Sequence, residues 1–342
     1  MHIVSDLSVG VLGAGNVVIE NHLPVLRALR GVSLKWIADG SSARARSVGK
    51  SFDIPTIDVG RIESVPAVDV LLMAIPYGAR PEYYKRLGAC SVAPALYIEK
   101  PLARTVAEQQ AIQSKYRDYE VTCGYYRRAS ALLNEVAEIV SQGLFGKLRE
   151  VYAGLGGIGV QGVGSGYKSN LALAGGGLLF ESGGHIIDSI FYVLRATGAK
   201  VDEVSMEVDR GFDIHTDARI AIRLTDAEPI QMHLVISALV DPKPGVELHF
   251  DHAVVRFNVF GSADIQVTGH RGNSHPGFTI AASTRGPATT PYRTLGLYWW
   301  DFLAGLRTKT ANYTSLTQTM LTPKLIEELY CQGGVADGSK NV

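Results

Sequence analysis

Cysteine is scarce in this chain: Cys90, Cys123 and Cys331 lie far apart along 342 positions. An odd, scattered set neither builds a disulfide framework nor spaces the ligands of a zinc site. Reduced thiols and a cytoplasmic protein are therefore expected. An excess of either charge is also missing, with 33 Lys and Arg against 33 Asp and Glu. That balance removes the electrostatic case for nucleic acid or an anionic membrane as a partner. No apolar run approaches the ~18 residues that a membrane span needs. The opening MHIVSDLSVG has no basic segment leading into an apolar core, so no secretion signal is expected there. Internal repeats and low-complexity tracts are lacking too. What remains is the composition of an ordinary globular protein, 46% hydrophobic and 19% charged. Its length exceeds what one core usually supports, so two domains are expected.

The first third alternates strand and helix. The apolar run 7–12 ends in the turn Gly13-Ala14-Gly15, and residues 16–30 carry apolar side chains at helical spacing, interrupted by Pro24. A second strand over 32–38 ends at Asp39; further β-like runs are 68–74, 95–98 and one containing Val121 and Thr122. The pattern predicts βαβ units and a doubly wound parallel sheet of Rossmann type, over residues 1–123. Such a sheet binds ligands beyond the carboxyl ends of its strands, where these turns fall.

In a dinucleotide site the first glycine of such a turn bends the chain tightly and the second lets backbone approach a pyrophosphate. The helix that follows, opened here by Asn16 and Val17, then supplies amide donors. Val18 occupies the position of the third glycine, so the fingerprint is incomplete. Asp39 lies at the distance expected of a residue that accepts hydrogen bonds from a ribose diol, which favours NAD. Ser41, Arg44 and Arg46 nearby leave NADP open, since they could hold its 2′-phosphate. Ile75 and Pro76, following the middle strand, are further candidate cofactor contacts.

Glu99-Lys100-Pro101 follows the strand over 95–98 directly. Glu99 and Lys100 stand where a nicotinamide ring could lie, and the lysine can stabilise charge developing on a substrate oxygen. Farther along, GGGLLFESGGHIID (175–188) sets Glu181, His185 and Asp188 at helical spacing behind glycines. A histidine beside a carboxylate is a candidate proton-transfer group. A buried core histidine is the plainer alternative. The triplet has the donor types of a metal site, but its spacing matches no established signature and no metal is expected.

The second domain is expected over 124–342, with the late helices free to pack back on the first. Alternating runs at 218–224, 230–236, 246–250, 253–259 and 265–267 suit an antiparallel sheet with one covered face. Residues 154–177 are glycine-rich and read as a binding loop holding Tyr167 and Lys168. Lys168 is expected to be solvated unless it faces a cleft, where it could bind a carboxylate or phosphate. Residues 271–293 read as loop, followed by helical sequence at 295–306 and 315–331. Arg127 and Arg128 could position an anionic substrate or pair with carboxylates. Trp299 and Trp300 are expected to pack.

Taken in order, Gly13-Ala14-Gly15, Ala74-Ile75-Pro76, Glu99-Lys100-Pro101, 124–128 (GYYRR), 143–147 (GLFGK) and the 175–188 segment resemble the Gfo/Idh/MocA oxidoreductases. The family takes its name from glucose–fructose oxidoreductase and inositol dehydrogenase. The resemblance implies an α/β Rossmann domain followed by an α+β domain on a large, mostly antiparallel open sheet. It implies Lys100 and His185 as catalytic groups. It also implies substrate contacts among Tyr126, Arg128, Tyr167, Lys168 and Asp188, and homodimers or homotetramers assembled through the sheet. Family members commonly have Asp where this chain has Glu181, and histidine where it has Arg80.

The expected activity is hydride transfer between NAD or NADP and a secondary alcohol or ketone of a sugar, cyclitol or sugar derivative. His185 takes the hydroxyl proton, Lys100 holds the oxygen, and Glu181 either orients His185 or stands beside it facing the substrate. Two alternatives share these features: redox-assisted glycoside hydrolysis, and a non-catalytic NAD(P)-binding sensor.

Overall fold

The computed structural model describes residues 6–60, 66–87, 93–159, 166–225, 227–261, 264–269, 278–281, 291–311, 313 and 315–334. The chain divides into two compact units. One comprises Met1–Leu102, Ala107–Tyr126 and Thr290–Gln318, the other Ala103–Val106, Arg127–Thr289 and Thr319–Val342.

The first unit is built on five parallel strands: β1 (Leu7–Leu12), β2 (Val32–Ala38), β3 (Val70–Met73), β4 (Ala95–Ile98) and β5 (Val121–Cys123). Their spatial order is β2-β1-β3-β4-β5. Every residue of β3 and β5 is buried, as expected of a parallel sheet covered on both faces. A π-turn at Val18–His22 runs into α1 (Leu23–Ala28), and Pro24 lies just past their junction. Helices α2 (Ser42–Phe52), α3 (Arg80–Leu87) and α4 (Val106–Gln113) follow β2, β3 and β4.

The second unit opens with α5 (Ala131–Ser141), β6 (Leu148–Gly156), the short α6 (Leu171–Ala174), a π-turn at Leu179–Gly183 and α7 (Gly184–Leu194). Seven more strands complete its sheet: β7 (Gly198–Asp209), β8 (Phe212–Arg223), β9 (Ile230–Ser237), β10 (Gly245–Phe250), β11 (Ala253–Phe257), β12 (Asp264–Gly269) and β13 (Phe278–Ala281). The eight strands are ordered β13-β12-β11-β10-β6-β9-β8-β7, antiparallel except for the parallel pair β6–β9. Alternate residues of β8 and β12 are buried, which leaves one face of the sheet for other contacts.

Late in the chain, α8 (Pro291–Thr308) returns to the first unit and packs on α1. Trp299 stacks on Tyr97 of β4 with ring centroids 4.2 Å apart, and the Tyr298 hydroxyl donates to the Cys123 carbonyl of β5. Trp300 is exposed, so only one of the paired tryptophans packs. The short α9 (Leu316–Thr319) follows in the first unit, and α10 (Leu321–Gln332) packs on α7 and β7 in the second.

Two stretches read as loop contain regular structure. Within 271–293, β13 pairs with β12 and α8 begins at Pro291. Within 154–177, β6 runs on to Gly156 and α6 forms behind a 3₁₀ turn at Gly166–Ser169; residues 160–165 lie outside the described set. Cys123 and Cys331 are free thiols, and Cys90 lies outside the described residues. Among the described residues no helix is long and apolar enough to cross a membrane, and no group of His, Cys, Asp and Glu could hold a metal.

Candidate active site

In the first unit the glycine turn is fixed from below. Gly13 has φ +112°, and a Cβ there would stand 2.2 Å from the Ala74 carbonyl oxygen, so only glycine fits. Its amide donates to Ala38 at 2.8 Å, and Ala74 donates to Leu12 at 2.8 Å, which ties the ends of β1, β2 and β3 together. Gly15, by contrast, faces open space, with nothing within 4 Å of where a Cβ would lie. Asn16 and Val17 are exposed beside it, whereas Val18, at the third-glycine position, is fully buried.

Asp39 lies at the carboxyl end of β2. Its Oδ2 accepts from the Ala14 amide at 2.8 Å and its Oδ1 from the Ser41 amide at 2.7 Å. Arg44 Nη1 comes within 3.6 Å of Oδ1, and the Ser41 hydroxyl accepts from the Arg44 amide as the cap of α2. Each carboxylate oxygen has a second lone pair, so acceptor capacity remains for a diol. The open side of Gly15, the amides at the start of the helix and the Asp39 carboxylate together fit a dinucleotide.

Ile75 and Pro76 follow β3, and the buried Arg80 guanidinium ties this turn to the next. It donates to the Ile75 carbonyl from Nε and Nη2 at 3.3 and 3.2 Å, and to the Pro101 carbonyl from Nη1. Arg80 is therefore a strap across two strand-end loops, a role the sequence did not indicate. Glu99 is buried and Lys100 half-buried, both directly after β4, and the Lys100–Pro101 peptide is cis.

In the second unit Glu181 belongs to the π-turn, while His185 and Asp188 lie on α7. The expected continuous α-helical face therefore begins only at Gly184, because a π-turn changes the stagger that precedes it. Lys168 pairs with Glu181 and keeps only a quarter of its side chain exposed, so it is not the solvated loop lysine expected. Asp188 is 2% exposed and forms a two-point pair with Arg128, joined by the Thr322 hydroxyl at 3.2 Å. Of the alternatives for Arg128, the structure has the carboxylate partner. His185 is buried, edge-on to the Phe260 ring at 5.9 Å, with the Arg127 guanidinium over that same ring at 4.4 Å. Tyr126 is half-buried and Tyr167 exposed.

One group in this unit has no counterpart among the residues that sequence alone singles out. Asp213, buried on β8, accepts from the Gly177 and Leu179 amides at 2.6 Å each and from the Tyr330 hydroxyl. It thereby fixes the glycine segment that leads into Glu181 and His185. Burial raises its pKa above the ordinary carboxylate value against the pull of these three donors. Burial and the neighbouring Asp213 charge push the Tyr330 phenol well above its usual range. The available signal was an acidic residue within a strand of alternating burial.

Residues 7–126 match the family model described as an oxidoreductase family with an NAD-binding Rossmann fold, Gfo/Idh/MocA. Over that stretch the chain is similar to the NAD-binding Rossmann domain of this oxidoreductase family. Solved structures extend the likeness in fold to both units. An aldose-aldose oxidoreductase from Caulobacter crescentus is 18% identical with a TM-score of 0.79, covering 96% of this chain and 98% of that one. A 3-ketoreductase from Actinomadura kijaniata, complexed with NADP and TDP-benzene, is 15% identical over 96% and 98%, TM-score 0.78. A levoglucosan dehydrogenase complexed with NADH is 16% identical over 96% and 97%, TM-score 0.81. No curated protein matches the chain by sequence. The second-unit sheet is the large, mostly antiparallel one that the Gfo/Idh/MocA resemblance implied.

Proposed function

We propose that the protein moves hydride between NAD and a secondary alcohol or ketone of a sugar, cyclitol or sugar derivative. The observation that carries this reading is the position of Lys100 at the carboxyl end of β4, in the same parallel sheet as the Gly13–Gly15 turn and Asp39. In such sheets ligands bind beyond the carboxyl ends of the strands. The structural relatives include a levoglucosan dehydrogenase complexed with NADH and levoglucosan, which supports a carbohydrate substrate.

When bound, the nicotinamide supplies or accepts the hydride. The work of this chain is to hold the substrate and manage one proton. Lys100 donates a hydrogen bond to the reacting oxygen and stabilises its developing charge. His185 takes the hydroxyl proton in the oxidative direction and returns it in the reductive one. Glu181, paired with Lys168, stands next to His185 on the chain and offers polar contacts to substrate hydroxyls, with Tyr126 and Tyr167 as further candidates. Arg128 and Asp188 act on α7 rather than on the substrate, because both are buried and saturated by each other. The Asp39 carboxylate disfavours a 2′-phosphate, and Arg44 is already engaged with it, so NAD is preferred over NADP. Assembly into homodimers or homotetramers uses the sheet face that carries Tyr152, Asp217 and His233.

The test is a panel of sugars, cyclitols and their derivatives with NAD and NADP, followed by reduced-cofactor absorbance and product analysis. Net NADH formation with a keto product is expected. Release of an aglycone without NADH would identify redox-assisted hydrolysis instead. Cofactor binding with no turnover across the panel would identify a sensor.

A further inference from the structure

Two π-turns occur among the described helices, at Val18–His22 and Leu179–Gly183. Such turns depart from standard helical bonding and often mark functional side chains. The second carries Glu181. The first ends on His22, which no step above uses.

His22 is 1% exposed, edge-on to the rings of Tyr97 at 5.1 Å and Trp299 at 5.9 Å. Both of its ring nitrogens are engaged. The Trp299 indole nitrogen lies 3.0 Å from Nδ1, and an indole N–H can only donate. Nδ1 is therefore the acceptor. The ring proton sits on Nε2, 2.9 Å from Glu99 Oε1, and is given to that carboxylate. The same carboxylate lies against Gly124, where a Cβ would stand 2.8 Å from Oε1 and 3.1 Å from the Lys100 backbone nitrogen. Glu99 is thus held from two directions, and the next residue in the chain is Lys100.

We propose that His22 is a positioning residue for Lys100. Indole, imidazole and carboxylate form a directed chain from Trp299 through His22 to Glu99, which sets the backbone from which the Lys100 amine reaches substrate oxygen. The chemistry suits the task. A buried carboxylate needs a donor, and a histidine whose tautomer is dictated by a tryptophan supplies one in a single orientation. The inference rests on the reading of Lys100 as a substrate-contacting group.

The test compares His22→Leu, which removes both bonds, with His22→Gln, which keeps one donor and one acceptor. In the free protein the rate at which acetic anhydride modifies Lys100, read by peptide mass spectrometry against the other lysines, is expected to change by about threefold or more in His22→Leu. It is expected to stay near wild type in His22→Gln. With NAD and the best sugar of the panel, kcat falls in His22→Leu while the Kd for NADH holds. Adding His22→Leu to Glu99→Gln costs no further activity, since both act through one carboxylate. Unchanged Lys100 labelling in a folded His22→Leu protein, or additive losses, overturns the proposal. Should His22→Leu fail to fold, Trp299→Phe removes the donor to Nδ1 while keeping an aromatic ring beside Tyr97, and is expected to alter Lys100 labelling too; no change overturns the proposal equally. Turnover that survives Lys100→Met would instead sink the functional reading, and the labelling of His22 variants would still test the positioning.

Discussion

Arg128 and Asp188 grip each other at two points, Nε to Oδ2 at 2.9 Å and Nη2 to Oδ1 at 2.7 Å, with both side chains almost wholly excluded from water. Asp188 lies one turn beyond His185 on α7, so this pair sets how the helix is rotated. Asp188→Asn leaves a buried guanidinium without its counter-charge, and breaking a buried pair in this way costs about 3–5 kcal/mol. Urea unfolding measures it. A loss below about 1 kcal/mol would mean that water reaches the site.

Lys100→Met keeps the apolar stem of the side chain and removes the donor. Turnover is expected to fall by about a hundredfold or more, the scale for losing one donor to a developing oxyanion. The Kd for NADH, followed by fluorescence, should stay within about threefold of wild type, since the binding energy lost belongs to the reacting oxygen. Unchanged turnover would remove Lys100 from the mechanism.

Asp39→Asn keeps an acceptor for the Ala14 or Ser41 amide while removing the charge that repels a 2′-phosphate. The ratio of kcat/KM for NADP to that for NAD should rise about tenfold, or about 1.4 kcal/mol. A ratio that does not move would assign Asp39 to holding the glycine turn alone.

Glu181→Asp withdraws the carboxylate by one methylene from Lys168. If Glu181 contacts the substrate, KM for the sugar rises more than kcat falls, because binding rather than the proton step is touched. Equal kinetics in the two proteins would make the longer side chain neutral.

Asp213 predicts a pH dependence. Its folded pKa is raised above the unfolded value by burial, so the native state holds this proton more tightly than the unfolded chain. The contribution to stability is therefore full below about pH 4 and declines as pH rises through the folded value. Asp213→Asn lacks that dependence. The margin by which wild type exceeds the variant in Tm should widen on going from pH 7 to pH 4. A margin that narrows instead would mean that the three donors outweigh burial.

Strands β1, β2 and β4 were legible to the residue, because each is an apolar run bounded by glycine, charge or a turn. Strand β7 left no such trace: it lies at the sheet edge, with Val201 its one buried side chain, so it has no apolar periodicity. Strand β13 sits in a segment rich in Gly, Pro and Ser, and it owes its existence to pairing with β12. Type and spacing alone single out Gly13, Asp39 and Lys100 in the first unit, and His185 in the second, as candidates. They do not single out the partners of Glu99 and Glu181. His22 and Trp299 are 277 positions apart, and Lys168 pairs across a loop, so only the folded chain reveals those bonds.

The return of α8 to the first unit has a consequence for how the protein is made. Residues 7–126 carry all five strands of the parallel sheet, yet Trp299 and Tyr298, which cap β4 and β5, emerge from the ribosome about 170 residues later. During synthesis the early sheet must wait with that flank uncovered while Arg127–Thr289 of the second unit is translated. A fragment ending at residue 126 would be arrested in that same state, expected to bind hydrophobic dyes and to aggregate unless a peptide spanning 290–318 is supplied in trans.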